Sequence, residues 1–171
     1  SRDELKQSQL WADLLPQDYA RVRTMLGDVR DYPRLRRAMQ GCTVVVHAAA
    51  LKRVSLTAYD PMESIKTNVL GAMHVLDAAI DTRVERVVAL STDKGTVPAN
   101  LYGATKMTME HLFSFGRNYI GTRSPRLVCV RYGNVLGSRG SAVPLWLAQA
   151  GRGEALTLTD ERMTRFWLTL E

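Results

Sequence analysis

The 171 residues read as an α/β fold, a parallel sheet with helices packed against it. Three observations predict this. Short runs rich in β-branched residues alternate with longer segments of helical period. The clearest strand candidates, Thr43-Val44-Val45-Val46-His47 and Arg86-Val87-Val88-Ala89-Leu90-Ser91, are nearly continuous in apolar character, as strands covered on both faces are. The residues of unusual chemistry cluster where those runs end, which is where open α/β sheets bind ligands.

Each element has its own signal. Residues 3–14 have helical character, and Arg21 to Leu26 predicts a short strand ending at Gly27-Asp28. A short basic helix over 33–40 precedes the strand at 43–47. Asp60 then suits a helix cap, Pro61 its first turn, and Glu63 the third position of a capping box. Ile65, Val69, Met73, Leu76 and Ile80 continue at helical spacing, which predicts a helix over 61–82. A strand over 86–91, a helix over 100–118, a strand over 126–131 and a helix near 143–150 complete the alternation. Such a series builds a parallel sheet with right-handed crossovers.

Composition narrows the function classes. At 46% hydrophobic and 23% charged the chain has an ordinary globular balance. No apolar run approaches the roughly 18 residues of a membrane span, and Ser1-Arg2-Asp3-Glu4 is no signal peptide. Cys42 and Cys129 lie in or beside apolar segments and read as buried thiols. With the histidines His47, His74 and His111 they form no metal-ligand spacing, so no metal is expected. The net charge of +6 concentrates at Arg30, Arg34, Arg36 and Arg37, which reads as a solvated helix face or a phosphate partner before a nucleic-acid surface.

The chemistry centres on Tyr102 and Lys106, four apart on a predicted helix and therefore on one face. A phenol with a pKa of about 10 is a poor base at neutral pH. An ammonium beside it favours the phenolate. Such a pair can take a proton from an alcohol while a hydride leaves the same carbon. Tyr-x-x-x-Lys alone is weak, and a half-buried tyrosine with a solvated lysine is the bland alternative. Ser91-Thr92-Asp93-Lys94, at the end of the strand before it, adds a hydroxyl, an acid and an amine. One expected feature is missing: no glycine-rich turn precedes Gly27, although dinucleotide-binding sheets open with one.

These stretches are joined by His47-Ala48-Ala49-Ala50-Leu51-Lys52-Arg53-Val54, Lys66-Thr67-Asn68-Val69-Leu70-Gly71, Arg131 to Ser141 and Thr159 to Phe166. Together they resemble the inverting UDP-N-acetylglucosamine 4,6-dehydratases, or 4,6-dehydratase/5-epimerases, of the extended short-chain dehydrogenase/reductase superfamily. The resemblance runs almost from end to end. It implies a Rossmann-like parallel sheet with flanking helices, of which the first βα unit and the C-terminal substrate part are missing here. Residues 1–140 would be a partial NADP-binding domain, and 141–171 the start of the nucleotide-sugar-binding part.

The resemblance also implies roles. Ser1 and Arg2 would meet the ribose 2′-phosphate, favouring NADP, with NAD the alternative. Asp28 and Val29 would frame the adenine, Asp28 accepting from its amine. Ala48, Ala49 and Ala50 would admit the cofactor backbone, Lys52 would lie near cofactor or substrate phosphates, and Asn68 would belong to the cofactor site. Asn134, Arg139, Met163 and Arg165 would line the nucleotide-sugar side; for the two arginines the alternative is surface pairing with Asp160 or Glu161. Tyr102, assisted by Lys106 and bonded with Thr92, would remove the sugar 4-hydroxyl proton. Lys94 would take the C5 proton, and Asp93, its pKa raised, would help the 6-hydroxyl leave as water.

The expected product is an inverted 4-keto-6-deoxy sugar for bacterial surface glycans. The enzyme would pair into homo-oligomers through helices 61–82 and 100–118. It would be cytoplasmic, or membrane-anchored with this domain on the cytoplasmic side, and this piece alone would be inactive. A UDP-sugar 4-epimerase or reductase on the same fold is the competing reading. A non-catalytic nucleotide-binding module is the reading of another class.

Overall fold

The computed structural model describes residues 1–121, 125–138 and 140–169. They form two compact units, Ser1–Val130 and Arg131–Glu171.

The first unit opens with α1 (Glu4–Asp13), capped where the Asp3 carboxylate accepts from the Lys6 amide. A 3₁₀ turn (Pro16–Arg21) follows. Residues 22–28 form no strand, against expectation: Met25 O accepts from Ser1 N and the Gln7 side chain, and Gly27 N donates to Ser1 O, too little for a ladder. Helix α2 (Tyr32–Met39) starts at Asp31, which accepts from Arg34 N, with Pro33 in the first turn. Strand β1 (Val44–His47) leads to a short helix, α3 (Val54–Tyr59), that the β-branched pattern there does not announce.

The predicted 61–82 helix is α4 (Pro61–Ile65), a π turn (Lys66–Leu70) and α5 (Gly71–Asp81), with Asp60 capping as expected. Wide turns of this kind occur often at functional sites. This one carries Asn68, whose amide accepts from Leu51 N at 2.8 Å and donates to Leu51 O and to Thr105 Oγ1 at 3.0 Å each. The loop after β1 is thereby tied to the helix that follows β2.

Strand β2 (Arg86–Thr92) ends in a 3₁₀ turn (Asp93–Gly95). Helix α6 (Leu101–Ile120) begins at Asn100, whose side chain accepts from Gly103 N. Strand β3 (Arg126–Tyr132) completes a sheet of order β1-β2-β3. β1 and β2 are parallel, with Val44 opposite Arg86 and His47 opposite Ala89. Val45, Val87, Ala89, Leu127 and Cys129 pack with Ala72, Val75 and Ala79 of α5 and Met109 and Phe113 of α6. The opposite face is open: Val44, Val46, Val128 and Val130 are 42–61% exposed. The continuous apolar strands predict cover on both faces, and the described helices supply it on one. Cys42 is also exposed, because it stands before β1 rather than in it, while Cys129 is half-buried beside the core.

In the second unit β4 (Asn134–Val135) runs parallel to β5 (Trp167–Leu168). Between them α7 (Ala142–Gly151) holds the following segment: Trp146 Nε1 donates to Thr157 O, and Gln149 clasps Thr157 through both amide atoms. No helix among the described residues is long and apolar enough to cross a membrane.

Candidate active site

The strand end and the Tyr/Lys helix do meet. A Cβ placed on Gly103 would lie 2.4 Å from the Lys94 carbonyl oxygen and 3.1 Å from Pro98 Cβ. Only a glycine there lets the backbone of the Asp93–Gly95 turn rest on the first turn of α6. Tyr102 and Lys106 flank that contact and are both buried, at 7% and 4% exposure.

On the turn, Thr92 Oγ1 donates to Asp93 Oδ1 at 2.9 Å and accepts from Lys94 N. Lys94 Nζ donates to the same carboxylate at 3.0 Å. Burial pushes the Asp93 carboxyl up, but the hydrogen bonds from Lys94 and Thr92 outweigh it and hold its pKa below the usual carboxylate value. This corrects the expectation of a raised pKa: without substrate, Asp93 is an ion-paired carboxylate. Asp93 also engages the Thr92 hydroxyl that was assigned to Tyr102.

Lys106 lies deeper. Its ammonium donates to Leu90 O and to Met109 Sδ. Burial brings its pKa down to about 8, against the opposing pull of Cys129 and Glu110. His47, at the end of β1, is buried at 4% exposure and stacks on Phe113, with no partner on Nε2 among the described residues. Burial first, and the Lys106 cation second, push it down to about 4, so His47 is neutral at pH 7.

At the carboxyl end of β1 a cavity of about 470 Å³ is lined by Ser1, Arg2, Asp28, Val29, Ala49 and Ala50, all named from the sequence for the cofactor. Lys6 and Thr67, given no role from the sequence, share the wall with Arg34 of the basic cluster. A concave, small-residue wall with a guanidinium and a hydroxyl at its rim fits a phosphorylated nucleotide. The Asp28 carboxylate already accepts from Arg30 and, at 3.3 Å, from Arg2. The Arg30 hydrogen bond in the first place brings its pKa down to about 2. A nucleotide amine would share a crowded acceptor there. Ala48 and Lys52 are exposed and lie outside the lining. Asn68 turns its amide to Leu51 and Thr105 rather than to the cavity.

The basic cluster is largely spoken for. Arg30 pairs with Asp28 and Glu63, Arg34 Nε donates to Leu26 O, and Arg36 lies 3.7 Å from Asp81. In the second unit Asn134 sits in β4, and Arg165 donates to Thr164 O and Met163 Sδ. Asp160 pairs with Arg162. Arg139 lies outside the described residues. The sequence reading also missed the pairing of buried Ser91 with Glu110, although Glu110 stands one helical turn beyond Lys106.

Comparison with known proteins places these features. The family model "Polysaccharide biosynthesis protein" matches residues 1–171. The chain is 47% identical over 172 residues to the UDP-N-acetylglucosamine 4,6-dehydratase (inverting) of Campylobacter jejuni, covering 100% of this chain and 51% of that one. It is 44% identical over 171 residues to a protein of Rickettsia akari named UDP-glucose 4-epimerase, covering 99% and 49%. Among solved structures it superimposes on DesIV, a dTDP-glucose 4,6-dehydratase from Streptomyces venezuelae with NAD and DAU bound. That match has a TM-score of 0.80, 25% identity, and coverage of 98% and 55%. The chain spans about half the length of the curated relatives it matches. Its parallel sheet and flanking helices match those of extended short-chain dehydrogenase/reductase structures, and the chain belongs to the polysaccharide biosynthesis protein family.

Proposed function

We propose that the protein containing this chain dehydrates UDP-N-acetylglucosamine across C5 and C6 with NADP, inverts C5, and serves bacterial surface glycan assembly. The observation that carries this reading is the contact at Gly103, which sets the Asp93–Lys94 turn against the Tyr102/Lys106 helix. An epimerase needs the hydroxyl, the tyrosine and the lysine of such a site. Elimination of water needs an acid and a base as well.

Ser1, Arg2, Val29, Ala49 and Ala50 would hold the dinucleotide in the cavity beside β1. When bound, the dinucleotide supplies hydride acceptance at C4 of the sugar and hydride return at C6. Tyr102 takes the 4-hydroxyl proton, and Lys106 stabilises the phenolate that does so. The resulting ketone acidifies the C5 proton.

The Asp93–Lys94 ion pair then has a direct use. Moving one proton from the ammonium to the carboxylate turns the pair into an amine and a carboxylic acid, with no change in total charge. Expulsion of water by the substrate favours this neutral form, since desolvation penalises the two charges. The Lys94 amine takes the C5 proton, and that C–H electron pair becomes the C5–C6 double bond. The C6–O bond breaks with its electrons on oxygen, and Asp93 protonates that oxygen to water. The ion pair is restored by the same step. A proton delivered to C5 from the opposite face sets the inverted configuration.

Asn134, Arg139, Met163 and Arg165 are proposed contacts of the nucleotide sugar, and Lys52 of its phosphates. Assembly into dimers through α4–α6 is proposed from exposed Met62, Met73, Phe115 and Tyr119 on those helices. We place the domain in the cytoplasm or on the cytoplasmic side of a membrane.

The test is product NMR on the complete protein with UDP-N-acetylglucosamine and NADP in deuterium oxide. Loss of the C6 hydroxyl with deuterium at C5 is expected. The 44% identity to the Rickettsia akari protein keeps 4-epimerisation as the second reading; a product retaining C6–OH and unlabelled C5 would establish it.

A further inference from the structure

We infer that Glu110 is a positioning residue for the proton transfer: its carboxylate, clamped by Ser91, holds the Lys106 side chain as a cation beside Tyr102. The inference rests on the reading of Tyr102 as the base and Lys106 as its partner.

Glu110 is 7% exposed and Ser91 1% exposed. The Ser91 hydroxyl donates to Glu110 Oε1 and fixes that side chain. Glu110 follows Lys106 by four residues on α6, so the two side chains share a helix face. Gly95 makes the room: a Cβ on it would come 3.2 Å from Glu110 Oε1 and 3.5 Å from Ser91 Oγ. The turn that presents Asp93 and Lys94 is thus packed directly on the clamp.

The electrostatic need is plain. The groups that contact or act on Lys106 are Leu90 O on β2, His47 on β1, Cys129 on β3, and Met109 and Glu110 on its own helix, while the turn of Asp93 and Lys94 packs on the first turn of that helix. Leu90 O and Met109 Sδ are neutral acceptors. His47 is neutral at pH 7, and its proximity to the ammonium opposes its own protonation. Asp93 is already neutralised by Lys94. Burial therefore drives Lys106 towards the amine, which could not lower the Tyr102 pKa. Cys129 first and Glu110 second oppose this; Glu110 is the one on the helix face of Lys106, and its partner Ser91 adjoins Leu90, on whose carbonyl the ammonium rests.

Glu110→Gln in the complete protein keeps the volume and an acceptor for Ser91 and removes the charge. The rate of reduced-cofactor formation, followed against pH, is expected to lose its alkaline limb about one pH unit earlier than wild type, a tenfold deficit at high pH. Glu110→Asp is expected to recover part of the shift. Ser91→Ala, which loosens the clamp but leaves the acid, should move the limb the same way by less, and it serves as the readout if Glu110→Gln does not fold. A profile superimposable on wild type in the folded Glu110→Gln protein, or in Ser91→Ala if Gln does not fold, overturns the inference. Tyr102→Phe separates the two readings. If that variant still forms reduced cofactor, the assignment of the base fails; if it is silent while Glu110→Gln is unshifted, only the role of Glu110 fails.

Discussion

Gly103→Ala isolates the contact on which the proposed chemistry depends. In a helix interior the change would gain roughly 1 kcal/mol from the better helix propensity of alanine. Here the new methyl would stand 2.4 Å from the Lys94 carbonyl oxygen and 3.1–3.2 Å from Pro98. The carbonyl would have to retreat by about 1 Å to reach a normal separation of about 3.5 Å. Overpacking of that kind costs about 1–3 kcal/mol. The two effects leave a net loss of at most about 2 kcal/mol, which most folded domains survive. Activity should suffer more. The carbonyl belongs to Lys94 itself, and a misplacement of about 1 Å at a reacting group can cost about 100-fold. Urea titration followed by circular dichroism should therefore give a small shift in midpoint. Turnover of the complete protein on UDP-N-acetylglucosamine should fall by about two orders of magnitude, with cofactor affinity retained. Turnover within twofold of wild type in a folded variant would mean that the turn does not need this placement, and the argument from Gly103 would fail.

Other outcomes follow from single side chains. His47 is held down to about 4 against an ordinary 6.5, so below pH 6.5 the unfolded chain binds the extra proton and stability falls as pH drops towards 4. Over that window His47 contributes a loss of about 3 kcal/mol, and His47→Gln should flatten the stability–pH curve measured by denaturant titration; an unchanged slope would assign it to other groups. Lys106 acts in the same sense at higher pH, with stability rising between about 8 and 10.5; Lys106→Met should abolish that rise. Asn68→Ala leaves Leu51 N and O without their described side-chain partner and should cost about 2–4 kcal/mol in the same titrations. Arg2→Ala should weaken NADP binding and leave NAD binding within twofold, read by titration calorimetry on the complete protein. Equal losses for both would detach Arg2 from the 2′-phosphate.

What the sequence announced is what local rules decide. Asp60 caps its helix as its sequence position predicts, and α2, the 61–81 helix and α6 were legible to within a residue or two. The Tyr102/Lys106 face is a matter of helical period alone. The misreadings all depend on partners distant in sequence. Residues 21–26 have strand composition, but a strand exists only where another chain segment completes its ladder. The raised pKa expected for Asp93 came from its intended role. The structure sets the value by its nearest neighbours, and Lys94 lies 3.0 Å away. Glu110 was visible in the spacing but not in its meaning, because only the fold brings Ser91 and Gly95 onto it.

The proposed chemistry asks opposite things of two lysines, and the fold gives them opposite surroundings. Lys106 must stay charged while Tyr102 works, yet it is buried, which favours the amine. Lys94 must shed its proton, yet it is half-exposed and ion-paired to Asp93. Each assignment survives only through a second group. For Lys106 that group is Glu110, one helical turn away and clamped by a serine. For Lys94 it is a carboxylate that can itself accept the proton, so the pair shifts from charged to neutral when water leaves. A lysine beside a fixed acid stays a cation, and a lysine beside an acid free to take its proton becomes a base. The environments of Glu110 and Asp93, one locked by Ser91 and the other facing partly into solvent, divide the labour between two otherwise identical amines.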